Sequence, residues 1–448
     1  MSETIAAIVL AAGKGTRMNS KMPKVLHKLA GLPLICHVIG SVEELEPQVL
    51  TVVISPEQEE IEPMVGSAHI AYQHHPLGTG DAVRSALKSL NGFAGTVLVA
   101  FGADPLITTN SLRQMILARE VDNPPDVVVM GFKTNNPGRY GRLVQNSEGR
   151  LERIVEFSDV ATIDRHVELY NGGVMAINGK KLAGFIEALR AENTKKEFYL
   201  TDIIDISNKR GGYSTVVEVN EIEALGIDTR EDLAVAENIM QNRLRKKIME
   251  SGVTLIAPET IFFSHDTVIG PDSVIHPHVI FGCGAIVKEN VEIKSFSHIE
   301  GAEIGEGAAI GPFARLRPGA KIDSKAGIGN FVEIKKANIG AGAKINHLAY
   351  VGDADVGRDA NIGAGTITCN FDGFSKHTTT IGANAFVGSN SALVAPVQIG
   401  NNSIIGAGST VTRSVPSDAL VVARAKVREV TGGASRFRSR RLDEKKND

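Results

Sequence analysis

The sequence predicts two architectures in one chain: an α/β domain built on a mostly parallel sheet, then a helix, then a parallel β-helix. Three observations predict this. From residue 4 to about 228, short apolar runs alternate with helical patterns, which is how βαβ units read. Residues 229–250 place Leu233, Ala236, Ile239, Met240, Leu244 and Ile248 at helical spacing. After about 253 the apolar period becomes six, the period of hexapeptide solenoids. The domains so drawn are 1–228, a connecting helix over 229–250, and 251–448.

In chain order, IAAIVLAA (5–12) is an apolar run too short for a membrane span and reads as a buried strand. A helix over 32–45, a strand over 49–54, a helix over 80–90 and a strand over 96–101 follow. In such sheets ligands sit at the carboxyl ends of the strands. Thr229 and Asp232 can cap the helix that follows this domain.

Three rows then recur at intervals of six. The first is Ile269, Ile275, Phe281, Val287, Ile293 and Ile299; the second, after one register slip, is Ile304, Ile310, Leu316, Ile322, Ile328 and Ile334; the third is Ile381, Val387, Leu393, Ile399, Ile405 and Val411. An ordinary sandwich with glycine-rich turns does not produce such rows. The stretch CNFDGFSKHTT (369–379) breaks the repeat and reads as a loop off a rigid scaffold, a common place for function. The final SRFRSRRLDEKKND, with Arg436, Arg438, Arg440 and Arg441, reads as a disordered tail.

Composition narrows the partners. Lys plus Arg number 48 against 51 Asp plus Glu, so the whole-chain charge gives no reason to expect nucleic acid or a membrane surface. Small-molecule substrates are favoured instead. Cys36, Cys283 and Cys369 are widely spaced, form no CxxC pair, and suggest neither a zinc site nor a disulfide framework. A reducing, cytoplasmic setting fits. The Ser-Glu-Thr before the first apolar run lacks the basic start of a secretory signal.

Two stretches carry chemistry. Ala12-Gly13-Lys14-Gly15-Thr16-Arg17-Met18 follows the first strand but has neither the P-loop pattern nor a third dinucleotide-fingerprint glycine. Its backbone N–H groups with Lys14 and Arg17 suit a polyphosphate; taken alone, it reads equally well as a tight turn. In VLVAFGADPLIT (97–108) a single acid, Asp104, follows a strand end, either as a metal ligand or as a cap for a helix starting near Thr108.

LAAGKGTRM with Pro23-Lys24 resembles the signature of sugar-nucleotide pyrophosphorylases, nucleotidyltransferases of Rossmann-like fold. Joined to hexapeptide repeats, it resembles the bacterial bifunctional N-acetylglucosamine-1-phosphate uridyltransferases and glucosamine-1-phosphate N-acetyltransferases, whose second domain is a left-handed β-helix. QHHPLGTGDA, RYGRLV, IVEFSD and EFYLTDII carry the likeness in the first half; GPFARLRPG, NFVEIKKA, HLAYVGDA and NIGAGTITCNFDG carry it in the second.

The resemblance implies acetylation of glucosamine-1-phosphate by acetyl-CoA, then uridylyl transfer from UTP with Mg²⁺, supplying precursors of peptidoglycan and lipopolysaccharide. It implies phosphate contacts by Arg17 and Lys24, nucleotide contacts by Leu10, Ala11, Ala12, Gly13, Gln73, Gly78 and Thr79, and sugar contacts by Gly141, Glu156 and Asn171. In the second half it implies His347 as the base, with Arg317, Lys335, Tyr350, Asn361 and Lys376 on the sugar phosphate. Ala364, Asn370, Phe371, Ser389, Ala407 and Arg424 fall at acetyl-CoA positions, and the implied assembly is a homotrimer. Phe371 replaces a usual tyrosine. The metal aspartate of the family phrase Gly-Asp-x-Pro-Leu is Ala103 here, with the acid one place later at Asp104; Asp228 stands where the second ligand is usually asparagine. In extended backbone a carboxylate displaced by one residue faces the other way. A pyrophosphorylase of other sugar specificity with a structural, trimerising β-helix is the competing enzyme reading, and a non-catalytic scaffold subunit is the competing non-enzyme one. Arg17, Lys24 and His347 argue against the scaffold, while His347 with Lys335 and Tyr350 argues against a purely structural β-helix.

Overall fold

The computed structural model describes residues 4–135, 138, 140–157 and 167–447, so Arg139 and Ser158-Asp159 of the phrases above lie outside the described residues. The chain forms two compact units, Met1–Leu244 and Arg245–Asp448.

The first unit is built on a nine-stranded sheet. Its strand order is His69–Tyr72, Val49–Ile54, Ile5–Leu10, Thr96–Phe101, Leu169–Asn178, Val127–Lys133, Ser214–Glu218, Leu151–Val155 and Arg142–Gln145. The first four strands are parallel, as expected. Beyond them the sheet is more mixed than the sequence pattern predicts. Leu169–Asn178 runs antiparallel to both neighbours, and the last two strands form an antiparallel pair.

Alternation divides the first strand between two cores. Ala6, Ile8 and Leu10 join one apolar cluster; Ala7, Val9 and Ala11 join the other. Both faces are therefore covered, which is why the strand reads as a continuous apolar run. The chain turns to one side of Ile5–Leu10 for the next two strands and then returns to its other side for Thr96–Phe101. That reversal opens a crevice at the carboxyl ends of these two strands, from which Ala12–Met18 and Gly102–Leu106 emerge.

The helix Arg230–Glu250 starts as predicted: the Asp232 carboxylate accepts from the Thr229 N–H at 2.8 Å, and the Thr229 hydroxyl accepts from the Asp232 N–H at 3.1 Å. It is not a free connector. Ala236 is buried against Leu29, Leu34, Leu106 and Ile227, with Leu233, Ile239 and Met240 packed beside it. The first unit therefore runs on to Leu244, past the boundary drawn at 228.

In the second unit the coils stack in parallel register. Ile275 pairs with Ile293 and Ile304 with Ile322, eighteen residues on, whereas Ile293 pairs with Ile310 across the register slip. The eighteen row residues are all buried, from Ile269 at 7% exposed to several at 0%. At one corner His278, Phe296, Phe313 and Phe331 stack with ring centroids 4.9 to 5.1 Å apart, each in the left-handed backbone region, and Leu348 adopts the same conformation one coil further. The final segment, read from composition as disordered, forms the helix Gly433–Asn447. It contains no proline, and Arg440 and Arg441 pair with Glu444 at 3.5 and 2.8 Å, so local propensity and helix-spaced charges outweigh its low apolar content. No helix among the described residues is long and apolar enough to cross a membrane.

Candidate active sites

The first site is assembled at the crevice. Leu10, Ala11 and Ala12 are buried, and the exposed turn begins at Gly13. A Cβ on Gly13 would meet nothing within 4 Å, whereas one on Gly15, at φ +59°, would lie 2.5 Å from the Lys24 Cβ. Gly15 thus lets Lys24 approach. The Lys24 ammonium and the Arg17 guanidinium then converge on one carboxylate, Asp228, at 2.8 and 2.9 Å.

Asp104 joins them. The backbone at 101–104 is a hydrogen-bonded turn, with the Asp104 N–H donating to the Phe101 carbonyl at 3.1 Å, so strand alternation does not govern it. Ala103 is buried in the apolar cluster with Ala11, Val25 and Ile35, while the Asp104 carboxylate oxygens lie by Gly226 and Gly173, within electrostatic reach of Lys24 and Asp228. Burial pushes its pKa up to about 7; Lys24 opposes that rise and Asp228 adds to it. The following helix, Thr109–Leu117, is capped by Thr108, whose hydroxyl accepts from the Ser111 N–H at 3.2 Å. The capping role considered for Asp104 is therefore taken by Thr108. Two carboxylates offer hard oxygen donors, the kind that suits Mg²⁺. Tyr140 was not singled out from the sequence; burial and then Asp104 raise its phenol above the ordinary range.

Gln73 is buried and donates from Nε2 to the Gly78 carbonyl at 3.1 Å and to Asp81 at 3.0 Å, which leaves its carbonyl oxygen available. Gly78 adopts φ 108° at the start of the helix Thr79–Leu90, where a Cβ would lie 2.6 Å from the Phe198 carbonyl. The Thr79 hydroxyl accepts from the Leu200 N–H at 3.0 Å. Gly141 and Asn171 are bridged by the Asn171 N–H on the Gly141 carbonyl at 2.8 Å. Glu156 lies beside Gly141 and accepts from the Thr201 hydroxyl at 3.2 Å. The sequence reading did not single out Thr201, inside EFYLTDII, as a partner of Glu156.

Solenoid register organises the second site. Asn330 pairs with His347 on the next coil. Above them the Asn390 N–H donates to the Ala364 carbonyl, the Gly408 N–H to the Ser389 carbonyl, and Arg424 Nη1 to the Ala407 carbonyl at 2.6 Å. His347, Ala364, Ser389, Ala407 and Arg424 thus form one column along a corner. The His347 Nδ1 lies 2.7 Å from the Asn330 Oδ1. In the tautomer in which Nδ1 donates to that oxygen, Nε2 is the ring nitrogen left to accept. Asn330 was missed from sequence because it is 17 residues from His347.

Arg317 and Lys335 occupy a second column. Lys376 contacts Lys335 and, with nearby Arg317, holds its ammonium below the ordinary lysine range. Arg317 also meets Glu333 at 2.8 Å. Three cations crowded together are relieved by an anion. The 370–377 segment forms a tight hairpin in which Phe371 bridges to Lys376 and the His377 N–H donates to the Asn370 carbonyl at 2.8 Å. Asn370 is buried and donates to Tyr350 Oη at 3.4 Å and to Asp353, while the Phe371 ring is exposed. Asn361 lies one coil above Lys344, on the strand pair adjoining His347.

Comparison with known proteins agrees with both halves. Residues 7–200 match a family model described as MobA-like NTP transferase domain, and residues 378–413 match one described as bacterial transferase hexapeptide (six repeats). The chain is 51% identical over 444 residues to the bifunctional protein GlmU of Paramagnetospirillum magneticum, covering 99% of each. It is 47% identical to the bifunctional protein GlmU of Sphingopyxis alaskensis (98% of this chain, 97% of that protein). The one from Zymomonas mobilis is 44% identical (97% and 98%).

Proposed function

The chain belongs to the GlmU family, and from that premise we propose how its two sites divide the work. It is a bifunctional transferase of UDP-N-acetylglucosamine synthesis, acetylating glucosamine-1-phosphate and then uridylylating the product from UTP with release of pyrophosphate; this supplies cell-wall precursors. One observation carries the reading: the same chain holds a cationic turn at a sheet switch point in its first unit, and in its second a histidine in one solenoid column and a three-cation cluster on another.

At the first site Arg17 and Lys24 neutralise the nucleotide phosphates, exchanging their hold on Asp228 for the ligand. Gln73, Gly78 and Thr79 hold the nucleotide, and Gly141, Glu156 and Asn171 orient the sugar so that its phosphate oxygen faces the α-phosphorus. Asp104 and Asp228 hold Mg²⁺, which when bound supplies charge neutralisation to the phosphates.

At the second site Arg317, Lys335 and Lys376 bind the sugar phosphate, with Tyr350 and Asn361 on the sugar. His347 accepts the proton of the amine at Nε2, so the nitrogen lone pair can attack the acetyl carbonyl; Asn330 keeps the ring in that tautomer. Acetyl-CoA lies along the column through Ala364, Ser389, Ala407 and Arg424, flanked by Asn370 and Phe371. The Phe371 ring supplies packing without the hydroxyl of a tyrosine. The β-helix assembles as a homotrimer with acetyl-CoA between neighbouring subunits, in the cytoplasm, a reducing setting that suits three cysteines outside any disulfide.

Two assays test the reading: acetyl-CoA consumption with glucosamine-1-phosphate, and pyrophosphate release from UTP with N-acetylglucosamine-1-phosphate. His347→Ala removes most of the first and spares the second, whereas Lys24→Ala does the reverse. Loss of both activities in either variant would contradict the division.

A further inference from the structure

We propose that His265, Asp266 and Cys283 form a metal site of the zinc class on the first coils of the β-helix, separate from the carboxylate pair of the nucleotide site. The coil repeat brings the residues together. Phe262 bridges to Ile280 and Val268 pairs with Ile286, each eighteen residues on, so His265 and Cys283 occupy the same turn position on successive coils. Coils stack about 4.8 Å apart, and one ligand atom from each of the three side chains lies within 4.8 Å of the others. No CxxC spacing announces such a set, because the repeat and not the local sequence supplies the proximity.

The acid is already held in place. Asp266 accepts from the Gly284 N–H at 2.8 Å on one oxygen and from the Ser264 hydroxyl on the other, and each oxygen keeps a further lone pair. All three residues are exposed, so an ion can reach them.

An imidazole nitrogen, a carboxylate oxygen and a thiolate sulfur form a borderline-soft set that suits tetrahedral Zn²⁺ with water in the fourth position, whereas Mg²⁺ takes hard oxygens. Such an ion joins the turns of two coils near one end of the solenoid, where a coil has fewer neighbours to hold it.

Full-length protein stripped of metal and titrated with Co²⁺ tests this. The expected result is a near-ultraviolet thiolate-to-cobalt charge-transfer band saturating at one equivalent, displaced by Zn²⁺ and not by excess Mg²⁺. Cys283→Ser removes the band, His265→Ala weakens Co²⁺ binding by at least about tenfold, and Cys36→Ser leaves both unchanged. Cys283 is exposed, so its replacement leaves the circular dichroism of the β-helix unaltered. Absence of the band in the parent protein, or its persistence in Cys283→Ser, would overturn the site; Co²⁺ bound only with weak octahedral bands would place the metal on carboxylates instead.

Discussion

An imidazole serves as a base when one nitrogen is anchored and the other left open, and the Asn330 Oδ1 lies 2.7 Å from the His347 Nδ1, where it can anchor that nitrogen. His347→Ala is expected to lower acetyl transfer by about 10²- to 10⁴-fold. Asn330→Ala gives a smaller loss that falls on kcat with little change in KM for glucosamine-1-phosphate, read from steady-state rates across pH. Asp104 carries a different signature. Its pKa is raised from 3.8 to about 7 in the folded, ligand-free protein, so the folded state binds this proton more tightly than the unfolded state does. Above pH 7 the group is ionised in both states and the penalty is complete; below pH 4 it is protonated in both and the penalty is gone. Asp104→Asn is therefore expected to raise stability at pH 8, by at most on the order of 4 kcal/mol, with the gain vanishing toward pH 4. Thermal midpoints of the two proteins at pH 4, 6 and 8 check this; an equal gain at every pH would contradict it. Family phrases named the candidate site residues one by one. The direction Asp104 faces was not legible, because it depends on a turn closed by a single backbone hydrogen bond.

Among the elements, those with one strong period were read closely. The strands Val49–Ile54 and Thr96–Phe101 begin and end where their apolar runs do, and the hexad rows fill the interior of the β-helix. Elements set by long-range pairing escaped. The antiparallel entry of Leu169–Asn178 has no local signal, and the Asn330–His347 and His265–Cys283 pairs are visible only once the coil length is known. The nucleotide turn allows a sharper test, since its two glycines serve different needs. Gly13 has open space around it, so Gly13→Ala should leave stability unchanged while its methyl obstructs phosphate approach and raises KM for UTP. Gly15→Ala should do more, because a left-handed backbone and a 2.5 Å clash with Lys24 displace the lysine itself. Melting curves and UTP kinetics on both variants separate the two roles: a destabilised Gly13→Ala would mean that its turn is structural.

For the molecule as a whole, two separately packed units explain why two activities can coexist in one chain, yet where the first unit ends decides whether it works alone. The pattern at 229–250 reads as a connector, and a cut near 228 follows naturally from it. The packing argues otherwise. Ala236 is fully buried against Leu29, Leu34, Leu106 and Ile227, Glu237 accepts from the Ala30 N–H at 2.9 Å, and Arg243 donates to the Leu106 carbonyl at 2.7 Å. Removing those side chains uncovers an apolar cluster, at about 25 cal/mol for each Å² exposed. It also removes Asp232, whose carboxylate accepts from the Asp228 N–H at 3.1 Å and fixes the residue that Arg17 and Lys24 grip. A fragment of residues 1–250 should therefore remain folded and release pyrophosphate from UTP in a Mg²⁺-dependent reaction. A fragment of residues 1–228 should melt several degrees lower and lose most of that activity, because Asp228 becomes a frayed chain end. Equal melting temperatures and equal rates for the two fragments would show that the helix is a connector after all, and that Asp228 is positioned by its ion pairs alone.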